Sequence, residues 1–254
     1  MKAPQVVKVG GAALADGGWL EAFAVVAAAR GEPLVIVHGG GPEISAVSSR
    51  LGVPVEWRDG KRLTTPEVLD AAGMVLNGLI NKRIVAALQQ AGVDAIGLSG
   101  LDGALVRADV AAGGALGLVG RVVSVRCELL QRFRSAGLTV VLSPISLGPD
   151  GTPLNVNADD AAAAVAAALR APELLFLTDV PGVLAAGAVQ PVLTSAAAEA
   201  LLATGEAYGG MAVKLRAGLA ALAAGVLGVR IGDLTALANR SAGTVLRHSL
   251  EAVA

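Results

Sequence analysis

Three glycine-rich turns, two lysines and one amide-rich segment carry most of the chemistry available to this chain. Gly39-Gly40-Gly41 follows the apolar run Leu34-Val35-Ile36-Val37-His38 and precedes Pro42-Glu43-Ile44. A strand that ends in bare backbone and enters a helix presents N–H groups and the positive end of that helix to an anion. Gln5-Val6-Val7-Lys8-Val9 runs into Gly10-Gly11 in the same manner, and the ammonium of Lys8 can meet a phosphate as a point charge. Gly209-Gly210 opens another helical stretch with Lys214 one turn in, and Leu174-Leu175-Phe176-Leu177 ends in the polar turn Thr178-Asp179-Val180-Pro181-Gly182-Val183. Asn155-Val156-Asn157-Ala158-Asp159 gathers two amides and a carboxylate at the start of an Ala-rich helix. An N-cap with Asx turns accounts readily for one of these three residues and less readily for all of them.

Any one of these turns also suits a tight strand-to-helix connection that binds nothing. The spacing G-x-x-x-x-G-K-[ST] is absent, and His38-Gly-Gly-Gly-Pro42 lacks the G-x-G-x-x-G rhythm of a dinucleotide fold, which argues against a Rossmann oxidoreductase. Composition narrows the field further. Hydrophobic residues make up 54% of 254 and aromatics only 2%, so the core must be filled by Ala, Val, Leu and Ile. A net charge of −1 and few aromatic platforms speak against nucleic-acid binding. One cysteine, Cys127, excludes internal disulfides and cysteine-rich metal sites, and two histidines make a catalytic zinc a poor fit. The chain starts on a strand-like segment without signal-peptide features, so the expectation is a cytoplasmic protein. Val180 to Ala198 lacks charge but is broken by Pro181, Gly182, Gly187, Gln190 and Pro191, and reads as loop rather than membrane span.

The elements that must hold these residues alternate. Strands are expected near 5–9, 34–37, 95–98, 138–143, 174–178 and 227–231, with helices near 15–30, 42–51, 66–91, 126–136, 158–170 and 210–224. This pattern predicts an α/β fold with an open, mostly parallel sheet between helices. Residues 53–64 and 104–124 interrupt it and read as hairpins of the kind that form lids over strand ends.

Taken in order, Lys8-Val9-Gly10-Gly11, His38-Gly39-Gly40-Gly41-Pro42, Gly60-Lys61-Arg62-Leu63-Thr64, Gly97-Leu98-Ser99-Gly100, Asn155 to Asp159, Thr178 to Val183, Gly209 to Lys214 and Gly243-Thr244 resemble the acetylglutamate kinases of the amino acid kinase family over nearly the whole chain. The resemblance implies that fold, with an amino-acid-binding lobe at about 1–172 and an ATP-binding lobe at about 173–254. It implies transfer of the ATP γ-phosphoryl group to the side-chain carboxylate of N-acetyl-L-glutamate, the second step of arginine biosynthesis. Such a carboxylate, with a pKa near ~4.3, is already an ionised nucleophile and needs no general base. The resemblance places Lys8 and Lys214 on either side of the phosphoryl group, with Asp159 holding both ammonium groups. Arg62 would grip the α-carboxylate in bidentate fashion, with Asn155 and Asn157 nearby and Gly40 and Gly41 donating near the γ-carboxylate. For ATP it points to Gly10, Gly11, Thr178, Asp179, Val180, Gly182, Val183, Leu184, Tyr208, Gly209 and Gly210. Mg2+ is expected to arrive with ATP, its ligands being mostly phosphate oxygens and water.

Two other readings stay open. A kinase acting on 2-aminoadipate or glutamate attached to a carrier protein shares Gly97 to Gly103 and Gly243 to Arg247, and Lys61 and Thr65-Pro66 depart from the acetylglutamate pattern. A non-catalytic amino-acid sensor on the same scaffold has no need of two cations flanking a phosphoryl path. In the family it resembles, arginine-inhibited members are hexamers linked by an extra N-terminal helix ahead of the first strand, and only seven residues precede Lys8 here. The resemblance therefore implies a homodimer paired through the helices around 66–91, with little feedback by arginine. Plain structural roles are expected for Asp102 in a turn, His38 beside the glycine loop, Cys127 in packing and Lys82-Arg83 on an exposed helix face.

Overall fold

The computed structural model describes residues 5–10, 14, 16–58, 61–185 and 187–248. Gly11 and Gly60 therefore lie outside the described residues. In chain order the elements are β1 (Gln5–Val9), α1 (Gly17–Ala29), β2 (Val35–His38), α2 (Gly41–Arg50), β3 (Trp57–Arg58), β4 (Lys61–Arg62) and α3 (Pro66–Gly73). A π-helical segment, Met74–Ile80, continues α3 into α4 (Asn81–Gln90). There follow β5 (Ala95–Ser99), β6 (Val106–Val110), β7 (Val119–Val125), α5 (Cys127–Ser135), β8 (Thr139–Ser143), β9 (Ile145–Leu147), β10 (Pro153–Val156) and α6 (Ala158–Ala168). The last part holds β11 (Glu173–Leu177), β12 (Leu184–Ala185), β13 (Ala188–Val189), β14 (Val192–Thr194), α7 (Ser195–Ala203), α8 (Gly209–Ala223), β15 (Val229–Gly232), α9 (Leu234–Ala238) and β16 (Thr244–Arg247).

Eight strands form one sheet in the order β14-β16-β15-β11-β1-β2-β8-β5. The six strands from β15 to β5 are parallel, while β16 runs antiparallel to β15 and parallel to β14. Both faces of the sheet are covered, which is why its strands read as unbroken apolar runs rather than alternating ones. Val6, Val35, Val37, Leu142, Phe176 and Ile231 pack on one side with α6 and α8. Val7, Val9, Ile36, Val141, Leu175 and Leu177 pack on the other with α1 and the Pro66–Gln90 run. That run is long and apolar enough to cross a membrane by composition alone. Here Val68, Val75, Leu76, Ile80, Ile84 and Leu88 sink into the core, as in an internal helix.

The expected strands and helices lie within a few residues of the observed ones. The segment 104–124 does form the β6–β7 hairpin, but β9 and β10 close it into a four-stranded barrel that the alternation of elements does not reveal. Barrel closure depends on Gly120, where a Cβ would sit 2.9 Å from both Leu154 and Val156. Val180 to Ala198 holds the short strands β12 to β14 and the start of α7, in keeping with a broken, loop-rich segment.

Candidate active site

The chain leaves β1 toward β2 on one side of the sheet and leaves β11 toward β15 on the other. The crevice between β1 and β11 is thus the topological switch point, where open α/β sheets bind ligands at the carboxyl ends of their strands. Lys8, near the end of β1, shares the face of Val6 and turns toward the first turn of α6. Its Nζ stands 3.0 Å from Asp159 Oδ1, and Lys214 Nζ stands 3.9 Å from the same oxygen. All three side chains are at least 88% buried. Residues separated by some 150 and 50 positions in sequence thus meet as two cations sharing one anion. Burial pushes the Lys214 ammonium below its usual pKa and the Lys8 charge adds to that, while Asp159 and Asp179 oppose it.

Asp159 is placed by a well-formed helix start. Asn157 is the N-cap of α6, its Oδ1 accepting from Asp159 N at 2.8 Å and Asp160 N at 3.4 Å. The exposed Asn157 side chain thus spends its oxygen on capping, and its amide nitrogen is not used by the cap. Asn155 is different. Its Nδ2 donates to Thr64 Oγ1 at 3.3 Å, tying β10 to the lid hairpin β3–β4. Thr64, fully buried, also donates its N–H to Leu116 O and accepts from Leu118 N, a short parallel bridge to the barrel. Thr64, singled out in the sequence only as the end of the Gly60-Lys61-Arg62-Leu63-Thr64 stretch, ties the segment that carries Arg62 to the strand that carries Asn155.

Arg62 is 8% exposed. One terminal nitrogen donates to Gly41 O and Ser45 Oγ, both at 2.9 Å, and the guanidinium lies 4.6 Å from the centre of the Trp57 ring. The other terminal nitrogen, Nη1, is buried without a hydrogen-bond partner among the described residues. Half of the fork is used to hold the lid against α2, and half is left for an acceptor. Gly40 is required by close packing: a Cβ there would collide with Ile80 Cδ1 and lie 2.8 Å from Leu76 Cδ2. The π-helical segment carries both of those side chains, so it buttresses the glycine turn from below. His38, fully buried, donates from Nδ1 to Gly39 O at 3.1 Å, since a carbonyl can only accept, and its Nε2 accepts from Asn81 Nδ2 at 3.3 Å. Burial lowers its pKa to about 4, so it stays neutral and structural, as expected. Asp102 likewise acts in a turn, accepting from Ser99 N and Oγ.

On the other flank, Thr178 follows β11 and its hydroxyl donates to Asp179 Oδ1 at 2.9 Å. Asp179, Val180 and Leu184 are at least partly exposed at the strand ends, whereas Gly182 and Val183 are buried. Both backbone groups of Val183 are engaged inside the protein, its N–H with Thr244 Oγ1 and its carbonyl with Gln190 N. Val183 is thereby an anchor of this loop. Tyr208, 80% exposed, precedes Gly209 and Gly210 at the start of α8, and Lys214 Nζ lies 4.0 Å from the Cβ position of Gly210. The ammonium thus lies beside the N-terminus of α8, an arrangement that favours an anion. Among the described residues no group of three or more His, Cys, Asp or Glu side chains could hold a metal ion.

The profile of the Amino acid kinase family matches residues 4–233. An acetylglutamate kinase from Chloroflexus aurantiacus (strain ATCC 29366 / DSM 635 / J-10-fl) is 49% identical over 248 residues, covering 96% of each chain. Among solved structures, smu.665 from Streptococcus mutans UA159 has a TM-score of 0.83 at 32% identity, over 97% of this chain and 99% of that one. A carbamate kinase from Giardia lamblia shares the fold, with a TM-score of 0.74 at 16% identity over 98% and 99% of the two chains. With its switch-point crevice, its shared-anion lysine pair and these likenesses, the chain belongs to the amino acid kinase family.

Proposed function

We propose that this protein transfers the γ-phosphoryl group of ATP to the side-chain carboxylate of N-acetyl-L-glutamate, forming an acyl phosphate. The observation that carries the reading is the Lys8–Asp159–Lys214 cluster at the switch point, together with the name of relatives as close as 49% identity. The reaction brings two anions together, and a carboxylate nucleophile asks for no proton transfer. Positioning and charge stabilisation are therefore the whole of the protein's task. Lys8 and Lys214 neutralise charge on the transferring phosphoryl group from the two halves of the chain, and Asp159 keeps them apart and aimed. Asp159 acts as an organiser, not a base.

The acetylated substrate lies on the β2 side. Arg62 offers its free Nη1 to the α-carboxylate, Asn155 adds a neutral amide, and the Gly40–Gly41 turn supplies backbone donors toward the γ-carboxylate. ATP lies on the β11 side, over the N-terminus of α8 and against Asp179, Val180 and Leu184. Its Mg2+ would be held chiefly by phosphate oxygens and water, with Asp179 the carboxylate that this loop could add. The two lobes, about 1–172 and 173–254, divide the work in this way. Arginine biosynthesis in the cytoplasm is the setting that this product serves.

The test is acyl-phosphate trapping with hydroxylamine in the presence of ATP and Mg2+, comparing N-acetylglutamate, glutamate and N-acetyl-2-aminoadipate, with and without a carrier protein. N-acetylglutamate as the preferred free acceptor is the expected result. Turnover only on a carrier-bound substrate would overturn the assignment.

A further inference from the structure

The loop after β11 is fixed from outside the nucleotide side, by the last strand of the sheet. Thr244 opens β16, is fully buried, and pairs with Ile231 of β15. Its Oγ1 accepts the Val183 N–H at 2.8 Å, and a Cβ on Gly182 would stand 2.7 Å from that oxygen and 2.8 Å from Val189 Cγ1. The next residue, Val245, donates to Pro191 O at 2.9 Å, at the far end of the same excursion. The turn into β16 is itself held down. Buried Arg230 donates from Nε and Nη2 to Glu173 Oε1, and from Nη1 to Ala242 O at 3.1 Å. Gly243 turns the chain at φ +86, with its Cβ position 2.8 Å from Ile231 O, a conformation and a fit open to glycine. The Thr244 hydroxyl thus bonds β16 to the loop's buried centre, and leaving the Val183 N–H without it would strand a buried donor.

We propose that Thr244 is a positioning residue for the nucleotide: its hydroxyl sets the height of the Thr178–Leu184 loop, so that Asp179 and Val180 meet ATP without a rearrangement. This rests on the reading of that loop as the ATP side of the site. The first experiment compares Thr244→Val, which keeps the shape and removes the acceptor, with Thr244→Ser, which keeps the hydroxyl. ATP binding is measured by calorimetric titration, and KM is measured for each substrate. Thr244→Val should weaken ATP binding and raise KM for ATP on the order of tenfold, a hydrogen bond's worth, with KM for N-acetylglutamate unchanged. Thr244→Ser should stay within about twofold of the parent.

The second experiment needs no substitution. Amide exchange in the unaltered protein should find the Val183 N–H protected before ATP is added and unchanged after it, while the Asp179 and Val180 amides slow on addition. A folded Thr244→Val protein with parental ATP affinity would overturn the proposal, as would an equal rise in both KM values. A Val183 amide that is protected only when ATP is present would overturn it too. Unaltered protein that binds no ATP would overturn the reading of the site itself, and the proposal with it, and the titration separates that result from the others.

Discussion

Asp159→Asn keeps the size and shape of the residue that joins the two halves of the site and removes its charge. At 3.0 and 3.9 Å, with an effective dielectric of about 20, its attractions to Lys8 and Lys214 are on the order of 4–6 kcal/mol each before the cost of burial. Breaking a buried pair by removing one partner costs about 3–5 kcal/mol, because the surviving charges are left uncompensated. The substitution also acts on the pKa of Lys214, already lowered by burial and by Lys8 and held up in part by Asp159. Without the aspartate it falls further, so Lys214 loses its proton at lower pH. The expected outcome is a folded protein of lower Tm, with kcat reduced on the order of 10²-fold or more and the alkaline limb of its pH profile moved toward neutrality. Hydroxamate formation over a pH series from neutral into the alkaline range, with thermal unfolding on the same samples, reads all three. A folded variant with near-parental kcat and an unmoved alkaline limb would refute the organising role of Asp159.

Arg62→Lys exchanges a planar fork for a point charge, so KM for N-acetylglutamate should rise while KM for ATP stays level; a change confined to ATP would put Arg62 in the other half of the site. His38 must take up a proton against burial, with its folded pKa at about 4 and its unfolded value at 6.5. Stability is therefore complete above pH 6.5 and falls by about 3 kcal/mol as the pH drops through 4, and denaturant titrations should show this limb flattened in His38→Asn. Met74 and Leu79 are apolar and exposed on the outer side of the π-helical segment, 62% and 38% respectively. Light scattering should find a homodimer paired through this helix and a shift toward monomer in Met74→Arg; a monomer in the unaltered protein at micromolar concentration would refute the pairing.

Much of this architecture is legible because its causes are local. An apolar run that ends in glycine or in a polar turn stops a strand wherever it stands, so β1, β2 and β11 and the helix start at Gly41 can be read from their own residues. Asn157 capping α6 and Asp102 closing a turn are equally local, and those residue types announce such uses. The lysines and Asp159 are visible as candidates from their placement beside glycine turns. Their meeting at one oxygen is implied by family likeness, and geometry is what gives it distances.

What tertiary structure alone decided are the contacts between distant segments that carry no local signal. Thr64 is one threonine among several until a parallel bridge sets it between Arg62 and Asn155. Nothing in Ile145 to Val156 shows that these strands close a barrel on β6 and β7, because closure depends on Gly120 admitting Leu154 and Val156. The π-helical turn beneath Gly40 is likewise invisible in the apolar pattern of 66–90, since its register is set by what Leu76 and Ile80 pack against. A sequence records the preferences of each segment for strand, helix or turn, but a buried hydrogen bond such as Val183 to Thr244 spans 61 residues and exists only where packing has excluded the water that would otherwise satisfy both groups.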